Sequence, residues 1–99
     1  MGKDGRNATR EMAMYEYKYT LEIREKPLRI LDGLPKDLRQ QIGYQLDLLQ
    51  RNFSGDIKKL KGYKDEYRLR VGSYRVLFRL IGSHLIVTSI GDRKDIYGH

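Results

Sequence analysis

The chain of 99 residues has no cysteine and no tryptophan, and it carries only two prolines and two histidines. Without cysteine, disulfides and thiolate metal sites are excluded, so a small domain must hold together by packing alone. That fits a reducing, cytoplasmic setting. The two histidines are His84, beside a predicted turn, and His99, the last residue. They give no basis for the paired-histidine acid–base mechanism of ordinary ribonucleases. Long apolar runs are also missing. Leu85-Ile86-Val87 is far too short to cross a bilayer and no signal-peptide pattern precedes it, so no membrane association is expected. No metal or cofactor is expected either, because Asp92 and Asp95 are few and stand beside Arg93 and Lys94.

What the chain does have is positive charge, unevenly spread. The net formal charge is +7; residues 1–50 hold nine Lys/Arg against eight Asp/Glu, and residues 51–99 hold eleven against five. A basic balance focused in one half points to a polyanion or an acidic protein partner. Within that half, Tyr67 to Tyr97 places its arginines in step with a strand. Arg68 and Arg70 are two apart and project from one face, and Gly72-Ser73 supplies the reversal of a tight hairpin. On the return strand Arg75, Leu77 and Arg79 share a face, while Leu69, Val71, Val76 and Phe78 supply the apolar face a sheet must bury. Eight tyrosines add amphipathic rings suited to the core edge or a binding surface.

The rest of the chain reads as one small domain over residues 15–99 behind a polar N-terminal extension, residues 1–14. Tyr17, Tyr19, Leu21 and Ile23 alternate with polar residues, the pattern of a half-buried strand. Pro27 suits the first turn of a helix with Leu28, Leu31 and Leu34 on one side. Gly33 and Pro35 interrupt it. A second helix then carries Leu38, Ile42, Leu46, Leu49 and Phe53 in a stripe, with Lys36, Asp37, Arg39, Gln40 and Asp47 on its other side. Asn52 to Asp56 breaks that helix, and Lys58 to Gly62 is a basic loop or short strand. Strands are expected near Tyr67–Val71, Tyr74–Leu80 and Leu85–Ile90. The order β-α-α-β-β-β predicts an α+β fold, an antiparallel-rich sheet with a two-helix hairpin on one face.

The run "RLRVGSYRVLF", followed by a short strand and "GDRKDIY", resembles the RelE/ParE superfamily of toxins from type II toxin–antitoxin modules, over roughly residues 17 to 97. The RelE branch implies a ribosome-dependent mRNA endonuclease that cuts the A-site codon through attack of the 2′-hydroxyl. Carried over residue by residue, two basic strand positions, lysines in the best-known member, fall on Arg68 and Arg70. The arginine after "GSY" falls on Arg75, that of "GDRKD" on Arg93, and the closing tyrosine on Tyr97, behind a shorter spacer. The resemblance assigns Tyr97 as general base, Arg75 to the transition state and leaving group, and the other arginines to phosphate orientation. A tyrosine titrates near about 10, so this role requires cations beside its phenolate.

Replacing two lysines by arginines keeps the charge and the bidentate phosphate grip but removes the more titratable group. Lys58, Lys59 and Lys61 are candidates for non-specific RNA contacts. The expected partners are an acidic antitoxin, the ribosome with its rRNA, and mRNA. The alternative within the superfamily is a ParE-type inhibitor that blocks DNA gyrase by binding, with no nuclease activity; fold does not separate the two. A degenerate homologue that binds an antitoxin without toxicity is the third reading.

Overall fold

The computed structural model describes residues 17–92. The expected N-terminal extension, together with Arg93 and Tyr97, lies outside the described residues. The elements follow as β1 (Thr20–Ile23), α1 (Glu25–Asp32), α2 (Lys36–Asn52), β2 (Asp56–Lys59), β3 (Glu66–Val71), β4 (Tyr74–Ile81) and β5 (His84–Asp92). They form one sheet in the order β1-β5-β4-β3-β2, in which β1 runs parallel to β5 and every other pair is antiparallel. This is the α+β arrangement implied above, with the basic segment after α2 forming a short edge strand, β2. Among the described residues no helix is long and apolar enough to cross a membrane.

Helix α2 forms because its apolar residues recur at helical spacing, and it buries that stripe. Ile42, Leu46 and Leu49 are buried, with Leu38 and Phe53 packed partly against them. Across the interface stand Leu69 and Val71 of β3, Val76 and Phe78 of β4, and Leu85, Val87 and Ile90 of β5. Phe53 closes α2 in the left-handed region (φ 56°), a conformation costing a bulky residue about 1–2 kcal/mol. Its ring contacts offset that cost. Phe53 meets Tyr67 and Phe78 edge-on at 5.5 and 6.0 Å, and Tyr19 lies 5.8 Å away.

The shorter α1 buries Pro27 and Leu31, one turn apart, with Pro27 in the first turn where its missing N–H is harmless. Leu28, expected on the same side, is instead 41% exposed, because the Pro27–Leu31 line leaves it rotated off the buried face. Strand β1 also starts later than the alternation suggests. The N–H groups of Lys18 and Tyr19 both donate to the Gln50 carbonyl at the end of α2, at 2.9 and 3.1 Å. They are diverted because β5 begins at His84, the partner of Thr20, and offers no earlier rung.

Two turns and one bulge set the sheet register. Gly72 and Gly82, both at φ 61°, take the first central position of two-residue hairpin turns flanked by Val71↔Tyr74 and Ile81↔His84. Between β4 and β5 the pairing steps from Leu77↔Ser89 to Phe78↔Val87, so Thr88 is an extra residue. Its hydroxyl donates to the Leu77 carbonyl at 3.3 Å. The bulge resets the alternation so that Val87 and Ile90, three apart, both face the core.

Two predictions arise from this packing. Gly55 sits at φ 136°, and a Cβ there would lie 2.8 Å from Leu69 Cδ1, whereas a Cβ on Gly43 within α2 meets nothing within 4 Å. Gly55→Ala should therefore lower stability by about 1–3 kcal/mol, while Gly43→Ala raises it by about 0.5–1 kcal/mol, both read by urea denaturation. The second concerns the clamp that ties residue 17 to α2. The Tyr17 hydroxyl donates to Asp47, Arg51 Nε bonds the same carboxylate at 2.9 Å, and the Arg51 guanidinium lies 4.5 Å from the Tyr17 ring centroid. The hydrogen bond from Tyr17, aided by Arg51, holds the Asp47 carboxyl below its ordinary value, and the same bond to the carboxylate raises the Tyr17 phenol. The Asp47 contribution is present above the unfolded carboxyl pKa and fades as pH falls through the lowered folded value. The Tyr17 contribution is present below the ordinary phenol value and fades as pH rises through the raised one. The stability gap between wild type and Asp47→Asn should thus be widest at neutral pH and narrow at both extremes, measured by urea unfolding across pH.

Candidate functional site

The face of the sheet opposite the helices carries the charge, and the strand register decides which charges meet. Alternation along β3 turns Leu69 and Val71 to the core and leaves Arg68 and Arg70 on the other side. In the hairpin Arg70 stands directly across from Arg75, and Arg68 across from Leu77. On the far side of β3, Asp56 is opposite Arg70 and Lys58 opposite Arg68. Arg68, Arg70 and Arg75 line one groove of about 580 Å3 with Lys58, Lys59 and Lys61, and Leu60 completes its wall. A depression of about 500 Å3 between α1 and β5 contains none of these cations.

The three arginines differ in how they are held. Arg75 is 6% exposed, and its Nη1 donates to the carbonyls of Gly72 and Tyr74 at 3.4 and 3.2 Å. It is a cation fixed by the hairpin it belongs to. Arg68 is largely covered, its side chain 15% exposed, with Nη2 3.4 Å from Asp56 Oδ1 and a buried Nε that has no hydrogen-bond partner. Arg70 is the open one, at 53%, with its Nε 3.7 Å from Asp56 Oδ2. Lys59 borders the groove, but it alternates with Lys58 and turns its ammonium to the other side of the edge strand, 5.8 Å from the centroid of the Tyr67 ring.

Like charges directly opposite in a sheet repel, so Arg70 facing Arg75 is a cost to the empty fold. Asp56 relieves part of it. In the sequence Asp56 is only the last residue of the Asn52–Asp56 helix break; its meaning comes from the β2–β3 register. Arg79 lies on the Arg75 face but pairs across to Glu66 and stays outside the groove, with its Nε buried and unpartnered. Chemically the groove offers several fixed N–H donors and positive charge to a single anion, the arrangement that grips a phosphodiester or a phosphorane. Among the described residues no three His, Asp or Glu side chains converge as metal ligands would.

Known proteins are similar to the chain in both sequence and shape. Toxin RelE3 of Methanocaldococcus jannaschii is 46% identical over 74 residues, spanning 70% of this chain and 84% of that protein. The chain belongs to the RelE toxin family. The RelE fold is shared with the RelB–RelE antitoxin–toxin complex from Methanococcus jannaschii, at a TM-score of 0.68 and 31% identity, covering 78% of this chain and 95% of the matched one. The archaeal RelE–RelB complex from Pyrococcus horikoshii OT3 matches at a TM-score of 0.65 and 25% identity, over 77% of this chain and 96% of the other. No family model matches the chain.

The different anchoring of the arginines in this RelE protein has a measurable consequence. Arg75→Ala removes a nearly buried side chain and two bonds to carbonyls, and should cost about 1–3 kcal/mol. Arg70→Ala, at an open position, should change stability by less than about 0.5 kcal/mol. Urea midpoints of the two variants check the contrast.

Proposed function

We propose that this RelE-family chain is the toxin of a type II toxin–antitoxin pair and acts as a ribosome-dependent mRNA endonuclease. The observation that carries the reading is the gathering of Arg68, Arg70 and Arg75 with Lys58, Lys59 and Lys61 around one groove, in a chain closely related to proteins named RelE toxins. Kinship with RelE toxins also favours this reading over gyrase inhibition.

In the proposed reaction the 2′-oxygen of an A-site nucleotide gives its proton to Tyr97 and bonds to the neighbouring phosphorus. The bond from phosphorus to the 5′-oxygen then breaks, leaving a 2′,3′-cyclic phosphate. Arg75, fixed by the hairpin carbonyls, stabilises the charge on the phosphorane and on the departing oxygen, which takes its proton from solvent because arginine does not release one. Arg68, Arg70 and Arg93 orient the phosphate and favour the phenolate of Tyr97. The lysines make phosphate contacts with mRNA or rRNA. The toxin acts in the cytoplasm, where translating ribosomes are. An acidic antitoxin segment that folds on binding would cover the basic sheet face and neutralise the charge that attracts RNA.

Arg75→Ala and Tyr97→Phe should each lower cleavage of ribosome-bound mRNA about a hundredfold or more, read by primer extension. Because Arg75→Ala also loses stability, the assay is run below its unfolding midpoint with folding checked by circular dichroism. Full cleavage by folded variants removes those residues from the mechanism. Growth arrest that persists in both, together with loss of gyrase supercoiling, would establish the binding reading instead.

A further inference from the structure

Arg68 and Arg70 lie side by side on β3, and the anion nearest to both is a residue of the chain itself. Because Asp56 pairs with Arg70 across the β2–β3 ladder, its carboxylate leaves the same face of the sheet as the two guanidinium groups. Oδ1 accepts from Arg68 Nη2 at 3.4 Å, and Oδ2 stands 3.7 Å from Arg70 Nε. One anion bridging two cations through separate oxygens is also what a phosphodiester does with its two non-bridging oxygens. Gly55 sets where this carboxylate sits, since its backbone at φ 136° brings the chain into β2 against Leu69, where a side chain has no room.

Two features mark the carboxylate as a loose occupant. Both contacts are long, and the Asp56 side chain is 56% exposed, so the pair contributes little to stability and exchanges readily. Arg68 Nε remains buried without a partner even with the carboxylate in place. Lys58 and Arg75 face the same pair across the neighbouring rungs, so one carboxylate leaves the groove with excess positive charge.

We propose that Asp56 is a positioning residue that stands in for substrate phosphate, bridging Arg68 and Arg70 in the free protein until a phosphodiester of single-stranded RNA displaces it. The inference rests on the RNA-cleaving reading above and adds a selectivity element to it. While Asp56 bridges the pair, RNA that only brushes the surface must compete with the carboxylate for each arginine singly. A phosphate held at the right depth, reaching both arginines at once, wins them over.

The test uses the full chain and a short fluorescein-labelled single-stranded RNA, with binding followed by anisotropy over a range of salt. Asp56→Asn should bind about threefold tighter or more at low salt, and its plot of log affinity against log salt should steepen by about 0.7 for each added phosphate contact. Asp56→Glu, which keeps the charge, should follow wild type. In wild-type protein labelled with 13C, the Asp56 carboxyl signal should shift as RNA is added, which needs no substitution to fold. Equal affinity and slope for Asp56→Asn, weaker binding by it, or an Asp56→Glu that behaves like Asn overturns the proposal while leaving RNA binding intact. An Asp56 signal unmoved at saturating RNA does the same. RNA held by neither wild type nor variant overturns this proposal, while the cleavage reading stands or falls separately on the primer-extension assay with ribosome-bound mRNA.

Discussion

The register of the β3–β4 hairpin is the constraint on which fold and site both depend. Val71↔Tyr74 flanks the Gly72-Ser73 turn, and every later rung follows from it, including Leu69↔Val76 on one face and Arg70↔Arg75 on the other. A slip of one residue on either strand would carry that strand's arginines into the core and its core residues into water. The register is specified from both sides of the sheet, because both faces object to the error. The apolar face is buried beneath α2, and the polar face carries charges that cannot be desolvated unpaired. The short turn is equally decisive, since Gly72 supplies a positive φ at no steric cost.

Once the register is set, the electrostatics follow. Antiparallel pairing brings Arg70 against Arg75, and the edge strand adds Lys58 and Asp56 across from Arg68 and Arg70. The empty groove is therefore a place of like-charge repulsion, relieved by one carboxylate and two backbone carbonyls. With the exposed carboxylate the main group that must move, cations held in this way stabilise an incoming anion with little further reorganisation, and such preorganised charge is the main way protein groups lower the barrier to phosphoryl transfer. Its donors also differ usefully in mobility. Arg75 is locked by its own turn, Arg68 is largely covered, and Arg70 is open to solvent. A fixed cation suits a transition state, and an open one suits capture of a substrate from solution.

The parts of this molecule that were legible in its sequence are those where a single period governs many residues. The stripe from Leu38 to Phe53 and the alternation from Tyr67 to Phe78 each repeat a pattern long enough to leave one interpretation. Shorter or interrupted patterns were less readable. Strand β2 has Ile57 as its only apolar residue, and its strand character comes from pairing with β3. The bulge at Thr88 shifts β5 between Val87 and Ile90 with no glycine or proline to announce it. Tyr17 and Tyr19 continue the β1 alternation, but their backbone lies beyond the reach of β5 and turns to Gln50. In the site, the arginines on β3 and β4 were visible from spacing, whereas Asp56 gains its part through a neighbour twelve or more residues away. Local sequence does not encode such a contact. Arg93 and Tyr97 lie outside the described residues, so their place in the mechanism rests on the family resemblance.

The central claim is that a groove of fixed cations, without a histidine pair, turns the 2′-hydroxyl of ribosome-bound mRNA on its own backbone. The most direct measurement is the chemical identity of the new RNA end. Ribosomes holding a defined A-site codon are incubated with the protein, and the upstream fragment is mapped and its terminus analysed by mass spectrometry. A cut within that codon, dependent on the ribosome and ending in a 2′,3′-cyclic phosphate, is the predicted result. Intact mRNA in the presence of folded protein, or a fragment ending directly in a 3′-hydroxyl, would contradict it.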